Sequence, residues 1–251
     1  SGSDANTSST SAMPRIPLPN WRATYDGLGK IKFMKKLFKS ITFNHAYRST
    51  YNVSSFTTNL GFVPYEEGSS FSATSGVDSS QNFVPQLQIN TITLSEQFSP
   101  LFGIDMTWKN SLTSRFEFKK SRNISLSFAN NQLTEVKSEE FVFGAGYTIK
   151  DVKFPIKFGK SKKTIVSDLK MQVDVSIRDN QTVIRKIEEE VEQITSGQKM
   201  TSIAVNFDYV LSPSINIRLF YNGTFNNPKI SSSFATENHS AGLKLRFTLS
   251  Q

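Results

Sequence analysis

Cysteine is absent from the 251 residues, which excludes a disulfide framework, a thiolate metal site and a cysteine nucleophile. Only two histidines occur, His45 in ITFNHAYRSTY and His239 in TENHSAG, and neither has a second His at ligand spacing. No Walker A loop, dinucleotide fingerprint or nucleophile elbow is present. Mean hydropathy is −0.33 and no apolar run approaches the ~20 residues of a transmembrane helix. Residues 1–13, SGSDANTSSTSAM, lack the basic start and apolar middle of a signal peptide. None of these absences touches a membrane β-barrel, whose strands alternate apolar and polar residues and so have bland average hydropathy.

What is present begins with charge. The 29 Lys and Arg against 21 Asp and Glu leave a net +8. Basic residues interleave with aromatics in FEFKKSR and KDVKFPIKFGKSKK, a pattern nucleic-acid binders share. The first lies in an alternating segment and the second in an expected long loop, so solvated barrel wall and rim explain both without nucleic acid. Residues 1–13 read as a flexible leader or linker, because their composition buries too little surface to offset ordering. Residues 14–40 read as an extended, proline-punctuated segment followed by a short amphipathic helix. There Ile31, Met34, Leu37 and Phe38 oppose Lys32, Lys35, Lys36 and Lys39. That helix suits either an anionic lipid surface or a solvated cover over one end of a sheet.

From Ile41 onward the hydrophobic period becomes 2, which predicts half-buried antiparallel strands over residues 41–251. Ten are expected, near 41–57, 86–97, 101–109, 112–129, 139–150, 167–178, 181–194, 200–211, 214–225 and 239–250. The fourth is kept whole because apolar parity runs unbroken from Phe116 to Phe128. Connections at 58–85, 110–111, 151–166, 195–199 and 226–238 then fall at one end, and those at 98–100, 130–138, 178–180 and 212–214 at the other. Mostly long loops at one end and shorter turns at the other is the asymmetry of an outer-membrane barrel, with both termini on the periplasmic side. Residues 182–195 resist this reading, since Ile184, Ile187, Val191 and Ile194 are spaced as on a helix; connectivity favours a strand.

An all-β antiparallel transmembrane wall assigns roles by parity. Met171, Val173, Val175 and Val205 are expected to face lipid, as are Phe207, Leu243, Leu245 and Phe247. Lys170, Gln172, Asp174 and Arg178 are expected to face a water-filled lumen, with Asp208, Arg218, Lys244 and Arg246. The opposite sign, a soluble barrel or small membrane barrel holding an apolar ligand inside, has the same periodicity. A barrel hydrolase is a weaker alternative, and no catalytic residue, metal or cofactor is expected.

The segments PLPNWRATYDGL, FNHAYRSTYNV, SIRDNQTVIRKI and LRFTLSQ, and the long run from Phe83 to Tyr147, resemble the C-terminal part of the SprA (Sov) family. These are giant outer-membrane translocon proteins of type IX secretion and gliding motility. The resemblance covers about Pro17 to Gln251. It implies a protein-conducting barrel that exports folded cargo, opens sideways to a smaller cargo-shuttle barrel and is closed below by a plug protein. It implies no catalytic residues, and it places 182–195 in the barrel wall. Family members hold many more strands, so the chain is either the C-terminal part of such a barrel or a short relative that closes or oligomerises differently.

Overall fold

The computed structural model describes residues 19–62, 84–158, 161–187, 191–212, 215–230 and 233–248, with side chains described for all of these but 156–158 and 161–163. The leader expected at 1–13 lies outside the described residues. In chain order the elements are β1 (Trp21–Tyr25), a 3-10 turn (Gly27–Lys30), α1 (Lys32–Leu37), β2 (Phe38–Thr58), β3 (Leu87–Trp108) and β4 (Leu112–Ser127). These are followed by β5 (Gln132–Phe158), β6 (Ser161–Lys186), β7 (Val191–Ser212), β8 (Ile215–Pro228) and β9 (Thr236–Phe247).

The nine strands form one antiparallel sheet in the order β1 to β9, each beside its sequence neighbour. Among the described residues β9 pairs only with β8, so the sheet is open at both edges. The all-β reading holds, but the strand count and several boundaries differ from those expected. Residues 98–100 are not a turn. They sit inside the single strand β3, where pairing with β4 shifts register between Phe98 and Phe102. Pro100 lacks a ladder N–H, and a local irregularity is how a long strand accommodates it. Residues 178–180 likewise continue β6, with Asp179 opposite Glu139 and Lys199.

Neither a helix nor one strand spans 182–195. The chain finishes β6 at Lys186, turns, and starts β7 at Val191, with Val183 opposite Ile194. The helix-like spacing arises because the turn and a register shift between Thr182 and Val183 each reset parity. The described residues of the expected long loop at 151–166 are instead strand: β5 and β6 pair out to Phe158 and Ser161. Most of 130–138 and all of 195–199 are also strand, and β1 occupies part of the extended segment 14–40. The helix is present but shorter than expected, and β2 follows it directly.

These merges regroup the connections. One end of the sheet carries 59–86, 128–131, 187–190 and 229–235; the other carries 109–111, 159–160 and 213–214. The expected asymmetry is therefore only partly kept: 59–86 is long at the first end, but 128–131 and 187–190 are short, and at the second end β5 and β6 run on as a two-stranded ribbon beyond Ile149 and Leu169. β1 begins partway along β2, with Trp21 opposite Tyr47, and runs toward the short-turn end, where α1 sits and where β9 leaves the sheet.

A single sheet has no second layer against which to bury a face. Of the described apolar side chains only Ile41, Tyr47, Val183 and Tyr209 are buried. Phe141, Phe143, Val173, Leu219, Leu243, Leu245 and Phe247 are all exposed.

Candidate functional site

Residues paired across strands point to the same side of a sheet, so register sorts the side chains into two faces. One rung runs Tyr147, Met171, Phe207, Leu219, Leu243; the next runs Ala145, Val173, Val205, Tyr221, Ala241. Val175 lies one rung further, opposite Phe143 and Ile203, while Leu245 pairs with Ile217 and Phe247 with Ile215. All eight residues expected to face lipid therefore share one face. Phe102, Phe116, Phe118 and Phe141 extend it across β3 to β5, with Phe118 and Phe141 stacked at 4.5 Å between ring centroids. Tyr25, Trp21, Phe43 and Tyr47 carry it to the β1 edge.

The opposite face is polar. Lys170, Asp208, Arg218 and Lys244 form a single rung, in which Arg218 Nε donates to Asp208 Oδ1 at 2.6 Å. Gln172 Nε2 donates to Asp174 Oδ2 at 2.7 Å, Arg178 Nη2 to Glu140 Oε1 at 2.9 Å, and Arg246 stands opposite Asn216. All eight residues expected to line a lumen thus share this second face. Sequence reasoning did not single out a second charged network on it. Asn44 Nδ2 donates to Asp105 Oδ2 at 2.9 Å, Arg115 bridges Asp105 at 3.5 Å and Glu117 at 2.6 Å, and Lys119 reaches Glu117 at 3.1 Å. Alternation in β3 and β4 carries the signal that finds them: they occupy the polar parity opposite Ile104, Phe116 and Phe118.

Between the two networks the sheet floor is glycine. A Cβ on Gly144 would stand 2.7 Å from Asp174 Oδ1, and one on Gly146 would stand 2.6 Å from Thr113 Oγ1. This is the close approach that Gly144-Ala145-Gly146 suggests in the sequence. The result is an open groove of about 430 Å³ whose lining includes Asp105, Arg115, Lys170, Gln172, Asp174 and Asp208. Both signs of charge face it, so it offers hydrogen bonds to water and to passing polar groups without a strong preference for either ion.

The apolar face changes character beyond the rung Phe118, Phe141, Ile177. The next rung on that side is Lys120, Glu139, Asp179, Lys199, and the one after it begins Arg122, Lys137, Gln181. Glu135, one rung further, is fully covered. Arg122 Nε, Lys137 Nζ and Arg185 Nη2 approach its carboxylate at 2.5, 3.2 and 3.4 Å. Burial alone would raise the pKa of Glu135, but the Arg122 hydrogen bond and the neighbouring Lys137 charge outweigh it and hold the carboxyl below its ordinary value. The two histidines are far apart in strand order. His45 hydrogen-bonds the Leu101 carbonyl, whereas His239 shares a 2.9 Å hydrogen bond with the Tyr221 hydroxyl. No protein-family model matches this chain, and no curated protein matches it.

Proposed function

We propose that this chain is a wall segment of an outer-membrane, protein-conducting translocon of the type IX secretion and gliding class. The observation that carries the reading is the continuous exposed apolar face. On β6 it runs from Leu169 to Ile177, nine residues, about 26 Å along the strand at ~3.3 Å per residue. A strand tilted as barrel strands are projects that length to about 20 Å, close to the height of an outer-membrane lipid band. A row of Phe, Val, Leu and Tyr that broad is costly in water and favourable in hydrocarbon.

The polar face then lines the conduit, with Lys170, Asp208, Arg218 and Lys244 across its wall. Open edges at β1 and β9 fit a segment of a larger barrel, since an unpaired edge in lipid leaves N–H and C=O groups unsatisfied. The wall's partners are outer-membrane lipid and the remainder of the barrel. The smaller shuttle barrel, the plug protein and secreted cargo follow from the family resemblance, and on this reading the end of β9 lies on the periplasmic side.

Fractionation tests the membrane assignment. Retention in the outer-membrane fraction through an alkaline wash, with release by detergent, is expected; native protein recovered in soluble form without detergent overturns it. Export tests the conduit. Lys170→Glu combined with Lys244→Glu is expected to slow appearance of cargo outside the cell while membrane retention is unchanged.

A further inference from the structure

The wall reading leaves α1 unexplained. Its backbone is firmly placed: Lys35 N–H donates to the Ile31 carbonyl at 2.9 Å, and the Lys109 N–H of the β3–β4 turn donates to the Leu37 carbonyl at 3.1 Å. β2 continues from it without a break. Met34 is half-buried, but the other apolar side chains find no partner to cover them among the described residues. No residue of the helix is buried; Ile31, Phe33 and Leu37 are 52, 65 and 42% exposed. A helix that merely capped the sheet would turn these residues inward.

Around them stand Lys30, Lys32, Lys35, Lys36 and Lys39, all exposed, and none makes an ion pair among the described residues. From Gly27 to Phe62 the chain has no acidic residue. Among the described residues no ion pair compensates this charge, in contrast to the paired cluster around Glu135. The helix also stands where the apolar face ends. Phe38, its immediate successor, packs on Trp108 at 4.1 Å between ring centroids, and Trp108 Nε1 donates to Ser114 Oγ at 2.8 Å. An aromatic pair with one polar tip is what a bilayer boundary selects.

We propose that α1 is a foot that docks on the phospholipid leaflet at the short-turn end, with its lysines on anionic headgroup phosphates and Ile31, Phe33 and Leu37 at the acyl boundary. The inference rests on the wall reading. A helix of six residues is too short to hold a membrane by itself. Continuity with β2 removes that objection, because the embedded wall keeps the helix at high effective concentration beside the leaflet. Each lysine near an anionic surface then favours the docked state about fivefold.

Because the chain has no cysteine, single labels are clean. An environment-sensitive dye is placed at Phe33→Cys, where it replaces the phenyl ring, or at Val173→Cys in the band, in the full chain inserted into phosphatidylcholine vesicles with or without phosphatidylglycerol. The expected result is an apolar signal from position 173 in both vesicles. Position 33 is expected to give an apolar signal only with phosphatidylglycerol, lost at high salt and weakened about fivefold by each of Lys32→Gln, Lys35→Gln and Lys36→Gln. If position 173 reports lipid while position 33 reports water in both vesicles, or ignores the lysine changes, the foot is overturned and the wall stands. If position 173 reports water, the wall reading falls and the foot with it. A concentration-dependent shift at position 33 in lipid-free micelles means that a second copy covers the helix, which also overturns the foot.

Discussion

Two stretches of the same strands, on the same side of the sheet, make opposite arrangements. In the stretch toward the short turns, β4, β5 and β6 present Phe116, Phe143 and Val175 with nothing above them. In the stretch toward the long loops, they present Arg122, Lys137 and Glu135, tied together by short ion pairs. Backbone geometry and pairing are the same in both. What differs is whether a side chain is satisfied by its surroundings or by its neighbours. On the proposed wall reading the first stretch would meet hydrocarbon, whereas the second carries its own counter-charges.

The largest effect should come from placing a charge in the first stretch. Val173→Arg is expected to destabilise the protein by ~2–4 kcal/mol in denaturant unfolding from lipid vesicles, while its neighbour Gln172→Arg changes stability by less than ~0.5 kcal/mol. If the order reverses, the polar face is the one sequestered from water. Next comes the centre of the second stretch. Glu135→Gln removes the charge that three cations share; because Arg122, Lys137 and Arg185 are partly solvated, the expected loss is about 1–2 kcal/mol rather than that of a fully buried pair. A double-mutant cycle with Arg122→Gln should recover part of it.

A smaller effect belongs to Tyr209, on the short-turn side of the first stretch. Its hydroxyl lies 2.8 Å from the Val152 carbonyl and 3.1 Å from that of Ile165, so it donates to the two strands that leave the sheet there. Tyr209→Phe should cost about 1 kcal/mol and raise amide exchange in residues 152–154 and 164–167 without affecting the Glu135 cluster. The smallest is a pH effect confined to the second stretch. Since the Glu135 carboxyl titrates below its unfolded value, its stabilisation is complete above the ordinary carboxylate pKa and is lost as pH falls through the lowered one. Unfolding followed from neutral to acid should show this loss in the parent and not in Glu135→Gln.

The sheet and both its faces were legible because alternation is a one-strand signal. Leu169 to Arg178 announces its two sides whatever lies beside it. Where strands end was less legible, since that depends on partners. Pro100 looks like a turn until the neighbouring strand is seen to tolerate a register shift there. Ile184, Ile187, Val191 and Ile194 look like a helix because a reversal of direction changes parity. Lys, Pro and Gly in 151–166 look like a loop, although both strands of a ribbon with no further neighbours can be polar. The Glu135 cluster was illegible because its members come from three strands, and only register brings Arg122 and Arg185 to the carboxylate that Lys137 neighbours on its own strand.

The ribbon formed by the ends of β5 and β6 bears on what can be cut away. Beyond Ile149 and Leu169 these strands pair only with each other, after a register shift in which Asp151 adopts a φ of 54°. Ile149 and Leu169 are already partners, so a two-residue hairpin turn would join them directly and leave every other pairing of the sheet in place. The ribbon is thus an appendix to the sheet, whose continuity does not pass through it. Excision of residues 150–168 therefore separates two properties that point substitutions confound: whatever such a chain still does belongs to the sheet, and whatever it loses belongs to the ribbon or to the Tyr209 contacts at its base.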